Sequence, residues 1–224
     1  MKTIAFVTQK GGSGKSTLCI GLAVAARQTG ASVCMVEMDR QATIGNWAEL
    51  RQSEPPDVVQ IDSTELAAVR TRLSNRAFDY AFIDTPGAIG PETLAAIRAA
   101  DLCLVPSRPT PADLHAIRPT LAAIYRMEKR FAFILNQTPV RSYRVREAVN
   151  GLVALGVLPD VNIVQRNDHQ DAIGTGQGVT ELNPTGKAAE EIRQLWRWVA
   201  AQVSEIGYLE SHRSAPAHEH VRAA

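Results

Sequence analysis

The segment Lys10-Gly11-Gly12-Ser13-Gly14-Lys15-Ser16-Thr17 constrains this chain more than any other. Its glycines let the backbone bend until successive N–H groups face one point, a concavity that binds an anion. Apolar residues over 4–8 precede it, and residues 15–28 follow with helical periodicity. The loop therefore joins a strand to the start of a helix, whose unpaired N–H groups and positive dipole end add to the same cradle. In such a unit Lys15 reaches the β- and γ-phosphates of a nucleotide and Ser16 holds Mg²⁺. The strict pattern, Gly-x-x-x-x-Gly-Lys-Ser/Thr, would place its first glycine at Gln9. That position fails, and Lys10 opens the loop instead.

Strand-like apolar runs recur over residues 32–38, 58–61, 80–84, 102–106 and 131–136. Between them, residues 43–51 read as a short helix closed at Pro55-Pro56. Ser63 reads as the N-cap of a helix running to about residue 74. Leu114, Ile117, Leu121 and Ile124 keep helical spacing, with Pro119 as a kink. Ile192, Leu195, Trp196, Val199, Val203 and Ile206 form a helical stripe. Strands alternating with helices predict an α/β fold: a mostly parallel twisted sheet with helices on both faces. Ligands in such sheets bind at the carboxyl ends of the strands. Asp84 and Asn136 stand at those ends.

At 224 residues the chain has length for about one domain. We expect a single domain over residues 1–210 and a disordered polar tail over residues 211–224. The net charge is +1, so nucleic-acid binding would need a local patch rather than a global field. Cys19, Cys34 and Cys103 are far apart with no CxxC, which points to buried thiols in a reducing cytoplasm. Residues 1–4 run straight into a strand pattern, leaving no room for a signal peptide, and no apolar run has membrane-spanning length.

With Lys10 in place the loop reads KGGxGKS and resembles the deviant Walker A motif of the ParA/MinD family of ATPases. The resemblance covers most of the chain and is nearest to short plasmid-partition ParA proteins that lack an N-terminal helix-turn-helix domain. Glu37-Met38-Asp39-Arg40-Gln41 looks like the family's DxDPQ switch segment, with Glu37 for the first Asp and Arg40 for Pro. Asp39 falls on the acid that places the attacking water near Mg²⁺. Without proline, φ at position 40 is not fixed by the ring. Trp47 follows at a similar spacing. Phe82-Ile83-Asp84-Thr85-Pro86-Gly87 resembles Walker B, in which the carboxylate holds Mg²⁺, usually through water. Asn136 matches a family Asn beside the adenine; a turn-forming Asn is the other reading of that residue.

The resemblance implies a P-loop NTPase with ATP and Mg²⁺ as cofactors. It implies phosphate contacts from Lys10, Gly11, Gly12, Ser13, Gly14, Lys15, Ser16 and Thr17, and Mg²⁺ ligation by Ser16, Asp39 and Asp84. Lys10, Lys15 and Asp39 would carry catalysis, Lys10 by crossing to the partner's nucleotide in an ATP-bound homodimer. No internal arginine finger or glutamine stands out, so basal hydrolysis is expected to be slow and stimulated by a ParB-like or adaptor protein.

Family analogy also directs attention to basic residues. Arg141, Arg144 and Arg146 cluster after the sixth strand, and Lys187, Arg193 and Arg197 follow later. On one face they would bind DNA phosphates without reading sequence. The expected role is a cytoplasmic, nucleoid-associated switch that positions a cargo. Two alternatives stay open: a MinD-like membrane-recruited regulator, and an accessory protein for DNA transfer. The membrane alternative is disfavoured because the tail carries Val221 as its one large aliphatic residue. The tail histidines His212, His218 and His220 form no regular metal constellation. Iron–sulfur binding is set aside because the cysteines form no cluster motif.

Overall fold

The computed structural model describes residues 1–52 and 56–213, and beyond residue 205 the backbone alone. Its strands are β1 (Lys2–Phe6), β2 (Val33–Glu37), β3 (Asp57–Gln60), β4 (Tyr80–Asp84), β5 (Leu102–Ser107) and β6 (Phe131–Leu135). They form one sheet in the order β3-β2-β4-β1-β5-β6, and every pairing is parallel. β1, β2, β4 and β5 are almost wholly buried, which is why they read as continuous apolar runs rather than alternating ones. Register places Phe6 beside Asp84 and Leu104, and Glu37 beside Asp84, so the carboxyl ends of β2, β4, β1 and β5 meet in one row.

Helical crossovers on the two faces of the sheet join the parallel strands. One face is packed by α1 (Lys15–Gln28), α2 (Thr43–Leu50), α8 (Asn167–Gly174), α9 (Val179–Leu182) and α10 (Lys187–Arg213). The other is packed by α3 (Leu66–Asn75), α4 (Pro91–Ala99), α6 (Arg118–Arg126) and α7 (Tyr143–Val153). The stripe Ile192, Leu195, Trp196, Val199 and Val203 lies in the core against α1 and the sheet. Gly21 of α1 faces Ile192 closely enough that a Cβ there would meet its side chain at 3.3 Å. Outside β6 residues 157–164 run parallel to it, with Phe133 N–H donating to the Val157 carbonyl and Ile163 N–H to that of Leu135, so the sheet edge is covered.

The structure adjusts three sequence expectations. Ser63 is not a helix cap: residues 62–65 form a turn, in which the Glu65 carboxylate accepts the Asp62 N–H at 3.0 Å, and α3 starts only at Leu66. The run through Pro119 is not one kinked helix. Proline has no N–H to give and its ring crowds the preceding turn, so α5 (Pro111–Ala116) ends before Ile117 and α6 starts afresh. Finally, α10 continues to Arg213, past the tail boundary expected at Ser211. The rest of that tail, with His218, His220 and Val221, lies outside the described residues, as does Pro55. Among the described residues no helix is long and apolar enough to cross a membrane.

Candidate functional site

The glycine-rich loop leaves the sheet at the end of β1 and enters α1 at Lys15. Gly12 (φ 73°) and Gly14 (φ 88°) occupy the left-handed region that a Cβ disfavours. Gly14 is also the N-cap of α1 and brings no side chain to its first-turn N–H groups, which therefore face the loop's concavity. Space excludes a side chain there as well: a Cβ on Gly14 would stand 2.3 Å from Asn136 Nδ2. Asn136, buried at the end of β6, donates from Nδ2 to the Ser13 carbonyl at 2.8 Å. Gln137 donates to the Gly12 carbonyl at 3.0 Å. Two neighbouring amides thus brace the loop from outside. Gln137 escaped sequence reasoning because the strand end singled out only Asn136.

Lys15 is buried, and burial holds its ammonium below the ordinary lysine value against the pull of Asp84 and then Asp39. Ser16 donates its hydroxyl to Asp84 Oδ2 at 2.6 Å. Asp84 is 0% exposed, and burial pushes its carboxyl up to about 7 despite Ser16 and Lys15. Its other oxygen, Oδ1, is buried with no hydrogen-bond partner. A buried carboxylate with one spare oxygen, beside a serine hydroxyl and a phosphate loop, is an all-oxygen donor set of the kind that suits Mg²⁺ carrying its own waters. These residues fit the metal. Thr8 and Ser13 also hold buried hydroxyls without partners beside the loop.

At the end of β2 and just past it, Glu37 and Asp39 stand in different surroundings. Glu37 is 0% exposed and caps α2: Ile44 N–H donates to Oε1 at 2.7 Å and Gly45 N–H to Oε2 at 2.9 Å. Burial raises the Glu37 carboxyl above its usual range, with the two backbone N–H groups opposing. Asp39 lies partly exposed in a turn, its Oδ1 accepting from Gln41 N–H at 3.0 Å. Arg40 is exposed. On the other side, Gly87 comes so near that a Cβ would lie 3.0 Å from Gly11 Cα. Thr85 fixes this segment by donating to the Phe6 carbonyl at 2.7 Å. Lys10, half-buried at the loop's mouth, makes no hydrogen bond or ion pair among the described residues.

A pocket of about 120 Å³ opens beside Thr17 and Leu18, walled by Asn136, Ile163, Arg166 and His169. Arg166 is held by Glu191 at 2.7 Å. Burial keeps His169 below its ordinary value and outweighs Glu191 and Asp168, so the ring is neutral near pH 7. The cysteines lie apart, in α1, β2 and β5, all buried. Burial pushes the Cys34 and Cys103 thiols up to about 12 and raises Cys19 as well, which keeps them protonated and poor nucleophiles.

The six basic residues fall into two groups on opposite layers. Arg141, Arg144 and Arg146 are exposed around the start of α7, beside exposed Tyr143. Lys187, Arg193 and Arg197 lie on α10 across the sheet. Arg141 and Lys187 therefore do not share a helix layer. Arg193 donates to the Pro184 carbonyl and approaches Glu190, and Arg197 pairs with Glu190 at 2.9 Å. One carboxylate therefore offsets much of the charge on the α10 pair.

Residues 4–178 match the family described as the CobQ/CobB/MinD/ParA nucleotide binding domain. "Maintenance of carboxysome distribution protein A" of Halothiobacillus neapolitanus is 28% identical over 204 residues, covering 86% of this chain and 94% of that protein. "Chromosome-partitioning ATPase Soj" of Thermus thermophilus is 26% identical, covering 92% and 98%. Among solved structures, the septum site-determining protein MinD of Pyrococcus horikoshii with Mg-ADP superposes with a TM-score of 0.73 at 18% identity, covering 88% and 95%. A variant of Cyanothece McdA in complex with ATP gives 0.71 at 18%, covering 92% and 95%. The structures share the fold, and the six parallel strands with a phosphate loop after the first carry the same pattern as the sequence match. The chain belongs to the CobQ/CobB/MinD/ParA family of nucleotide-binding domains.

Proposed function

We propose that the chain is an ATP-dependent dimerising switch that binds DNA non-specifically, positions a cargo, and hydrolyses ATP slowly until a partner protein stimulates it. The observation that carries this reading is the loop itself: a glycine cradle with buried Lys15, the Ser16–Asp84 pair, and Lys10 without an internal partner at its mouth. The loop N–H groups and the α1 N-terminus bind and orient the phosphates. Lys15 offsets charge on the β- and γ-phosphates from a buried position, where its charge is less screened. Ser16 and Asp84 would hold Mg²⁺, with Asp39 beside them; when bound, the metal neutralises charge on the phosphate oxygens. Asp39 orients the attacking water, and Asn136, which lines the pocket beside Thr17 and Leu18, would meet the base. Lys10 reaches the phosphates of a second copy, so that ATP joins two chains. The relatives named for carboxysome distribution and chromosome partitioning support a positioning role.

The test is co-sedimentation of the protein with non-specific duplex DNA and, separately, with anionic liposomes, in ATP, ADP or no nucleotide. We expect DNA binding that requires ATP and weakens steeply with salt. Liposome binding without DNA binding would contradict the reading.

A further inference from the structure

Ala42 stands at the N-cap of α2 and has no side-chain oxygen to offer the helix. The N–H groups that such an oxygen would serve, those of Ile44 and Gly45, are both taken by Glu37, one on each carboxylate oxygen. The bonds are charge-assisted and sealed from water. Glu37 is also the last residue of β2, and its carbonyl accepts the Ile61 N–H at 3.0 Å. Its backbone is thus fixed to the sheet and its side chain to α2, which closes residues 38–43 into a loop.

Asp39 lies inside that loop. The Ala42 N–H donates to the Asp39 carbonyl at 3.0 Å, making a β-turn with Arg40 as its second residue and Gln41 as its third. Ala42 follows with φ 52°, a conformation that a residue with a Cβ keeps only where its surroundings hold it. The far end of α2 is anchored independently. Trp47 donates to the Gln177 carbonyl at 3.0 Å, and Arg51 bonds the Gly176 carbonyl and both oxygens of Glu181. The helix is therefore a fixed strut, and Glu37 is the link that passes its position to the turn.

We propose that Glu37 is a positioning residue for ATP hydrolysis: its grip on the first turn of α2 holds the Asp39 turn at the nucleotide site. The proposal rests on the ATPase reading above. It has a specific corollary, because the second position of a β-turn accepts proline, whose ring fixes φ by itself. Arg40→Pro should restrain the turn when the Glu37 grip is lost.

The experiment compares the full chain with Glu37→Gln and with Glu37→Gln/Arg40→Pro. It measures kcat, the Kd of a fluorescent ATP analogue, and hydrogen exchange at single amides. Glu37→Gln should lower kcat about tenfold while Kd moves less than about twofold. Exchange should speed about tenfold at Ile44, Gly45, Gln41 and Ala42. Adding Arg40→Pro should recover most of kcat and slow exchange at Gln41 and Ala42, leaving Ile44 and Gly45 fast. An unchanged kcat in Glu37→Gln, or joint loss of kcat and binding that Arg40→Pro does not relieve, overturns the proposal. If the unmodified chain hydrolyses no ATP, the ATPase reading fails by itself, and unaltered exchange at Gln41 and Ala42 in Glu37→Gln then overturns the positioning role. Should Glu37→Gln not fold, Glu37→Asp keeps the charge one methylene shorter and enters the same comparison.

Discussion

Asp84 is a carboxyl that burial disfavours in its charged form. Its carboxyl titrates near 7 in the folded chain, well above an unfolded aspartate, chiefly because of burial. A folded pKa raised above the unfolded one means that ionisation opposes folding. The deficit is absent below about pH 4, grows as pH rises, and is complete above about pH 7. Asp84→Asn keeps an acceptor for Ser16 and removes the charge. In chelator and without nucleotide, its advantage in thermal unfolding over the parent should widen from pH 5 to pH 8, reaching about 2–4 kcal/mol, while Mg²⁺-dependent hydrolysis is lost. An advantage equal at both pH values would show that burial of the charge is not what strains the site. The residue itself was legible in the sequence through its place in order after Ser16; an acid ending an apolar strand before Thr85-Pro86-Gly87 would by itself read as a strand end before a turn. Glu37 was legible only as a departure from a pattern. Its two bonds run to backbone N–H groups seven and eight residues on, and a backbone partner leaves no mark in the sequence.

The same division holds for elements. Residues 15–28, 80–84 and 131–135 were readable nearly to their ends, because a buried strand or a long core helix writes its period into the chain. α4, α7, α8 and α9 carry no comparable signal. They are short or largely solvent-facing, and their positions depend on packing against the sheet and on loops such as residues 174–178. That loop fits tightly against α2: a Cβ on Gly176, which has φ 67°, would lie 2.5 Å from the Arg51 backbone nitrogen. Arg51 and Glu181 join the two elements at 2.8 Å, with the Arg51 side chain only 6% exposed. Burial pushes Glu181 up, but Arg51 and the Gly178 N–H outweigh it and leave its carboxyl below the ordinary value. Arg51→Ala strands that charge and should cost about 3 kcal/mol in urea unfolding. Arg51→Met/Glu181→Leu should recover most of the loss. Equal losses in the single and double variants would show that the pair does not couple these elements.

At the scale of the whole molecule, the sheet collects the loop, the Asp39 turn, Asp84 and Asn136 at its carboxyl edge; for Asp84 and Asn136 that much followed from reading them at the ends of strands in an alternating α/β pattern. The basic residues were legible as a set but not as a surface, since sequence spacing cannot tell which helix layer a residue will join. If Arg141 and Lys187 both meet DNA phosphates, Arg141→Ala and Lys187→Ala should each weaken ATP-dependent binding to every sequence alike. Each should also reduce the slope of log affinity against log salt by about 1. Arg197→Ala should change that slope less, because Glu190 already holds Arg197. A larger effect from Arg197 than from Lys187 would relocate the interface. The proposed switch stands or falls on ATP joining two copies through Lys10. Sedimentation of the Asp39→Ala protein, in which ATP should persist, decides it. With ATP and Mg²⁺ we expect a dimer of the 24.3 kDa chain, and with ADP a monomer. The Lys10→Ala/Asp39→Ala protein should stay monomeric in ATP while still binding the nucleotide. A dimer of that double variant in ATP would contradict the role given to Lys10.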